Sequence, residues 1–173
     1  MTDKSYNKLK FSYAQMEHAI ENFVAQINKQ NITYDYIYGI ARGGLVPAVR
    51  MSHRLGIPMK VITWSTRDGN IQNHNDIVEI VQLLNSGKML LVVEDIIDSG
   101  RTINSIFEYL NEQLQDQYFL SSQLHIATMI NNVDVNLIPA YTSISISRET
   151  DDAWYEFWWE NQNKDETYSA SGF

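Results

Sequence analysis

Cysteine is absent from all 173 residues, which excludes disulfides, thiolate metal sites and a cysteine nucleophile and fits a reducing cytoplasm, the compartment expected here. Basic residues are scarce: 13 Lys and Arg stand against 21 Asp and Glu, for a formal net charge of −8. Such a field repels polyanions and leaves no electrostatic footprint for nucleic acid, so an anionic small molecule would need a local binding device. Long apolar runs are lacking as well. The best candidate for a membrane span, Tyr34 to Val49, is broken by Arg42 and by glycines, so no membrane partner is expected. The first ten residues are polar and have no apolar segment of the secretory kind. The four histidines, His18, His53, His74 and His125, show no metal-ligand spacing.

What the chain does have is enough apolar content, 44% of its residues, to bury one continuous core. We expect a single domain over residues 1–160 and a loose polar tail over 161–173, NQNKDETYSASGF. Ser12 is placed to cap a helix reaching Lys29, since Met16, Ile20, Phe23, Val24 and Ile27 recur at helical spacing. Tyr34 to Ile40 reads as a strand, followed by the tight loop ARGG and a helix that should stop near Gly56, ahead of Pro58. Met59 to Trp64 reads as the next strand, and Ser65 to Asn75 as a long exposed loop. Asp76 is the expected cap of a short helix ending at Gly87. Lys88 to Val93 (KMLLVV) is nearly unbroken apolar sequence, as a central strand covered on both faces requires. A helix bearing Ile103, Ile106, Phe107 and Leu110 follows, then strands near Leu124 to Ile130 and Tyr141 to Ile146. This alternation predicts an α/β fold with an open, mostly parallel sheet flanked by helices, and ligand sites at the carboxyl ends of the strands.

Between the central strand and its helix lies EDIIDSGRT, read as a loop from Glu94 to Thr102. The backbone N–H groups of Ser99, Gly100, Arg101 and Thr102 at a helix start make a site for a phosphate group, with the Ser99 and Thr102 hydroxyls as further donors. Glu94 and Asp95 stand on the other side, where carboxylates can take the paired hydroxyls of a ribose directly or through a hydrated Mg²⁺. One loop thus grips both ends of a phosphorylated sugar.

The run MLLVVEDIIDSGRT resembles the phosphoribosyl pyrophosphate signature of the type I phosphoribosyltransferases: an apolar strand, two acids, two apolar residues, Asp, Ser or Thr, Gly, any residue, Thr. IYGIARGGLVPAVRMSHRLGIP resembles the pyrophosphate loop of the same family, at Ala41, Arg42, Gly43 and Gly44, and that loop often carries a cis peptide not involving proline. The resemblance implies that Ser65 to Asn75 is a flap closing over the reaction, with Arg67 meeting the pyrophosphate. DDAWYEFWWE resembles the small C-terminal hood of the xanthine, guanine and hypoxanthine branch, which implies that Trp154 stacks on a base whose edge groups at Tyr155 read, with Asp152 or Glu160 helping. Trp158 and Trp159 read instead as core or interface residues. The implied partners are phosphoribosyl pyrophosphate and a nucleobase, the implied metal is Mg²⁺ on Glu94 and Asp95, and the implied catalytic residues are Asp98 and Arg42. A homodimer or homotetramer is implied as well.

One departure bears on the acceptor. The oxopurine enzymes usually place a lysine just after the strand that here reads LHIATMI, and this chain has Ile130, Asn131 and Asn132 there. An Asn amide can donate to an oxo group or accept from an amino group, so Asn131 or Asn132 is a candidate replacement. The expected function is transfer of ribosyl phosphate to a purine, an oxopurine by preference. A sensor of phosphoribosyl pyrophosphate that regulates nucleotide metabolism, and a transferase for a different base, remain the alternatives.

Overall fold

In a computed structural model, residues 7–66, 71–114 and 122–160 are described. Two sheets run through them. The larger has five parallel strands in the order β3-β2-β4-β5-β6, where β2 is Tyr36–Ile40, β3 Met59–Ile62, β4 Leu90–Ile97, β5 Leu124–Asn132 and β6 Tyr141–Ile146. The smaller pairs β1 (Lys8–Phe11) with β7 (Trp154–Phe157), also in parallel. Helix α1 (Tyr13–Gln30) precedes β2, α2 (Leu45–Leu55) joins β2 to β3, α3 (His74–Asn85) leads to β4, and α4 (Arg101–Gln113) follows it.

Strand β4 shows why the sheet is central. Leu91 and Val93 join a core with Met16, Phe23, Ala48 and Met51 from α1 and α2. Leu90 and Val92 join a second core with Ile77, Ile80, Ile103 and Ile106 from α3 and α4. Both faces are therefore covered by helices, and the apolar run has no solvated side to alternate with. Phe11 and Phe157, at 5.2 Å between ring centroids, anchor the small sheet on the first of these cores.

Ser12 caps α1 as expected, its hydroxyl accepting from the Gln15 N–H while the Gln15 side chain accepts from the Ser12 N–H. Gly56 ends α2 in the left-handed region at φ 67°. Three expectations need correction. Asn73, not Asp76, caps α3; the Asp76 carboxylate instead accepts from the Thr63 N–H at 2.8 Å. The strand expected to end at Val93 runs on to Ile97, because Glu94, Ile96 and Ile97 keep their register with Thr128, Ile130 and Asn131 of β5. The hood is not C-terminal alone, since β7 is completed by β1, a strand of only four residues whose sequence, KLKF, carries little pattern. Arg67 and the tail over residues 161–173 lie outside the described residues. Among those described, no helix is long and apolar enough to cross a membrane.

Candidate active site

Chain order decides where a ligand can sit. From β2 the chain moves outward to β3, then returns to place β4 on the other side of β2. The loops after β2 and β4 therefore diverge and leave a crevice at the carboxyl edge, the position at which open α/β sheets bind ligands. Ala41 to Gly44 occupy the first loop, and Asp98 to Gly100 the second.

The first loop packs directly on strand β4. A methyl group added at Gly43 would lie 1.8 Å from Asp95 Oδ2, and one at Gly44 would lie 2.3 Å from the Val93 carbonyl oxygen. The peptide between Ala41 and Arg42 is cis. The Ala41 N–H donates to the Ile62 carbonyl at 2.8 Å, which ties this loop to β3.

Glu94 and Asp95 stand at the end of β4. Glu94 is buried, and its Oε1 accepts from the Asp95 N–H at 3.1 Å. Burial first, and then the negative charge of Asp95, push the Glu94 carboxyl well above the usual carboxylate range. Two acids so placed would be relieved by a cation or by ribose hydroxyls donating to them, a pair of oxygen donors of the kind that suits Mg²⁺. Among the described residues, no three His, Asp or Glu side chains gather into a closed metal cage.

Past Ile97 the chain turns, with Gly100 in the left-handed region at φ 70°, and α4 starts at Arg101. Its N-cap is Gly100, which has no side chain to offer, so the cap leaves the first N–H groups of the helix open to an anion. The Arg101 Nε donates to Ser99 Oγ at 3.2 Å, and the Thr102 hydroxyl lies 3.4 Å from the Thr66 hydroxyl, which joins this loop to the segment after β3.

Asn131 and Asn132 follow different courses. The Asn132 amide is occupied by scaffold: Nδ2 donates to the Asp98 carbonyl at 2.9 Å, and Oδ1 accepts from the N–H groups of Asp134 and Arg148. Asn131, 7% exposed, has no hydrogen-bond partner for Oδ1 among the described residues. Of the two, Asn131 keeps an acceptor for use by a ligand or water.

The hood closes the other side. Trp154 is 44% exposed, with its backbone N–H donating to the Asn7 carbonyl at 2.8 Å. Tyr155 donates its hydroxyl to Asp151 Oδ2 at 2.6 Å; burial, and then this bond, push the phenol up to about 12. Trp159 stacks on Phe157 at 4.7 Å and Trp158 stands edge-on to Tyr13 at 5.6 Å, so both serve packing. Burial raises the Glu160 carboxyl, and the charge of Asp95 adds to this, which puts the end of the hood within electrostatic reach of the acid pair.

One residue had no signal in the sequence. Arg148, in the turn after β6, donates from Nε to Asp98 Oδ1 at 2.7 Å and from Nη1 to the carbonyls of Asp151 and Ala153 at 3.2 and 2.7 Å. It belongs to no motif, and a lone arginine in the polar stretch SRETDD reads as a solvated charge.

Among known proteins, the chain is 31% identical over 108 residues to an orotate phosphoribosyltransferase of Fusobacterium nucleatum subsp. nucleatum, covering 62% of this chain and 49% of that one. It is 36% identical over 74 residues to a xanthine-guanine phosphoribosyltransferase of Cereibacter sphaeroides, covering 40% and 44%. The chain thus spans about half the length of these curated relatives. The solved purine phosphoribosyltransferase of Pyrococcus horikoshii Ot3 superposes with a TM-score of 0.63 at 25% identity, over 90% of this chain and 95% of that one. A family profile described as the phosphoribosyl transferase domain matches residues 12–149. Since that stretch takes in every strand of the large sheet and both loops at its carboxyl edge, the chain belongs to the phosphoribosyl transferase domain family.

Proposed function

We propose that this protein is a Mg²⁺-dependent phosphoribosyltransferase that transfers ribosyl phosphate from phosphoribosyl pyrophosphate to a purine, preferably an oxopurine, and releases pyrophosphate. The observation that carries the reading is the close approach of the glycine loop to β4, which sets the acid pair of Glu94 and Asp95 beside Gly43 and Gly44, on the strand whose chain continues into the start of α4. The α4 amides and the Ser99 and Thr102 hydroxyls hold the 5′-phosphate. Glu94 and Asp95 take the ribose hydroxyls. When bound, Mg²⁺ neutralises charge on the pyrophosphate as it leaves. Arg42 and the amides of Gly43 and Gly44 meet the same developing charge.

Asp98 completes the set. Its Oδ1 is held by Arg148, and among the described residues nothing donates to Oδ2, which is left to accept a hydrogen bond from a ring N–H of the base. Positive charge growing on the sugar then draws the base nitrogen in, while the ring proton is steered by that carboxylate. Trp154 offers the acceptor a flat aromatic face. The purine assignment is supported by the Pyrococcus protein, which resembles nearly the whole chain. The orotate phosphoribosyltransferase of Fusobacterium supports the second reading, a pyrimidine acceptor. The exposed pair of Tyr13 and Trp158 supports a homodimer or homotetramer.

The test is incubation with phosphoribosyl pyrophosphate, Mg²⁺ and single nucleobases, with product nucleotide separated by chromatography. Hypoxanthine, guanine or xanthine should be consumed. Product from orotate alone overturns the purine assignment, and tight binding of phosphoribosyl pyrophosphate without any product favours the sensor.

A further inference from the structure

Arg148 stands outside every motif, yet it touches both the loop after β4 and the segment leading into β7. Its guanidinium reaches Asp98 in one direction and the carbonyls of Asp151 and Ala153 in the other. Those two carbonyls immediately precede β7, the strand that presents Trp154 and Tyr155. The Arg148 backbone N–H donates to Asn132 Oδ1 at 3.4 Å while Asn132 Nδ2 donates to the Asp98 carbonyl, so Arg148 reaches Asp98 by two routes. Asp151, held by Arg148 through its carbonyl, accepts in turn from the Ala153 N–H at 2.9 Å and from the Tyr155 hydroxyl. The Arg148 side chain is 26% exposed, and its guanidinium carbon lies 5.8 Å from the centre of the Tyr155 ring.

We propose that Arg148 is a positioning residue for the transfer, fixing the Asp98 carboxylate at a set distance from the hood so that an acceptor stacked there meets Asp98 Oδ2 in line. The proposal rests on the functional reading above and adds to it the device that registers the acceptor subsite against the sugar subsite. Arginine suits the task because its N–H groups diverge in one plane and bind a carboxylate and two carbonyls at once. A lysine ammonium reaches the carboxylate or the carbonyls with less fixed geometry. Misplacing a reacting group by about 1 Å costs on the order of 100-fold in rate, which sets the scale of the effect.

The experiment compares wild type, Arg148→Gln, Arg148→Lys, Asp98→Asn and the double variant Arg148→Gln/Asp98→Asn, with initial rates measured while each substrate is varied in turn. Arg148→Gln should lower kcat/KM for the base by about 10- to 100-fold and leave the KM for phosphoribosyl pyrophosphate within about twofold, with Arg148→Lys in between. In the Asp98→Asn background, the same Arg148→Gln change should have little further effect, because the carboxylate that Arg148 positions is gone even though the amide oxygen can still accept from it. A merely structural arginine would move both KM values together and would keep its full effect in that background; either result overturns the proposal. If Arg148→Gln does not fold, Arg148→Lys carries the same comparison. A wild-type protein that converts no base to nucleotide ends the functional reading itself, an outcome separate from any behaviour of the variants.

Discussion

An added methyl group tells the two glycines of the first loop apart. At Gly43 it meets the far end of the Asp95 side chain, which can swing aside, whereas at Gly44 it meets the Val93 carbonyl and the Glu94 Cα, which cannot. Gly43→Ala should therefore fold almost normally but displace a carboxylate of the acid pair, weakening phosphoribosyl pyrophosphate at least tenfold in a calorimetric titration. Gly44→Ala should lower stability itself, by roughly 1–3 kcal/mol as overpacking does, read from urea unfolding. Neither glycine adopts a positive φ. The tight loop at ARGG was legible in the sequence, but a further use of its glycines was not. They leave room for a neighbouring strand that is distant in sequence. Gly100 does need its φ of 70°, and Gly100→Ala should cost about 1–2 kcal/mol and weaken ribose 5-phosphate binding at the start of α4.

Individual elements were legible where their signals are local. The Ser12 to Gln15 capping box can be read directly, and Ser12→Ala should cost about 1 kcal/mol in a denaturant titration, with no change in KM. Strand β4 is also plain, yet its end was misplaced, because Glu94 to Ile97 look like loop until β5 is set beside them. The strands also meet in a polar cluster buried away from the crevice. The Tyr34 hydroxyl lies 2.6 Å from His125 Nδ1 and 3.0 Å from the Tyr141 hydroxyl, which donates to Gln30 Oε1. Burial holds the His125 imidazole below its ordinary value of 6.5. The folded protein then takes up this proton less readily than the unfolded chain, so the contribution of His125 to stability is full above about pH 6.5 and falls as the pH drops through and below that value. Glu17, lowered to about 2 by the Arg50 side chain, loses its contribution only below about pH 4.5, which separates the two windows. The raised Glu94 carboxyl works in the opposite sense over the same range, so the His125 share is read as the difference between wild type and His125→Gln in urea unfolding between pH 5 and pH 8, the wild type losing more stability toward acid than the variant.

Over the whole molecule, strand order and the glycine and acid loops make up the proposed sugar subsite, and these came from short stretches of sequence. The proposed acceptor subsite did not. It depends on β1 meeting β7, on Arg148 meeting Asp98, and on Asn132 turning into the scaffold, contacts that join residues far apart along the chain. Removing residues 1–9 should leave the five-stranded sheet folded by circular dichroism, since Met16, Ile20 and Phe23 still cover it. The shortened protein should show a KM for the base raised several times more than that for phosphoribosyl pyrophosphate. Pairing β1 with β7 also has a bearing on synthesis. A nascent chain can assemble the five-stranded sheet while β1 still waits for a mate, because β7 lies beyond β6 in the chain. On the proposed reading, competence to receive a base therefore follows the folding of the sugar site.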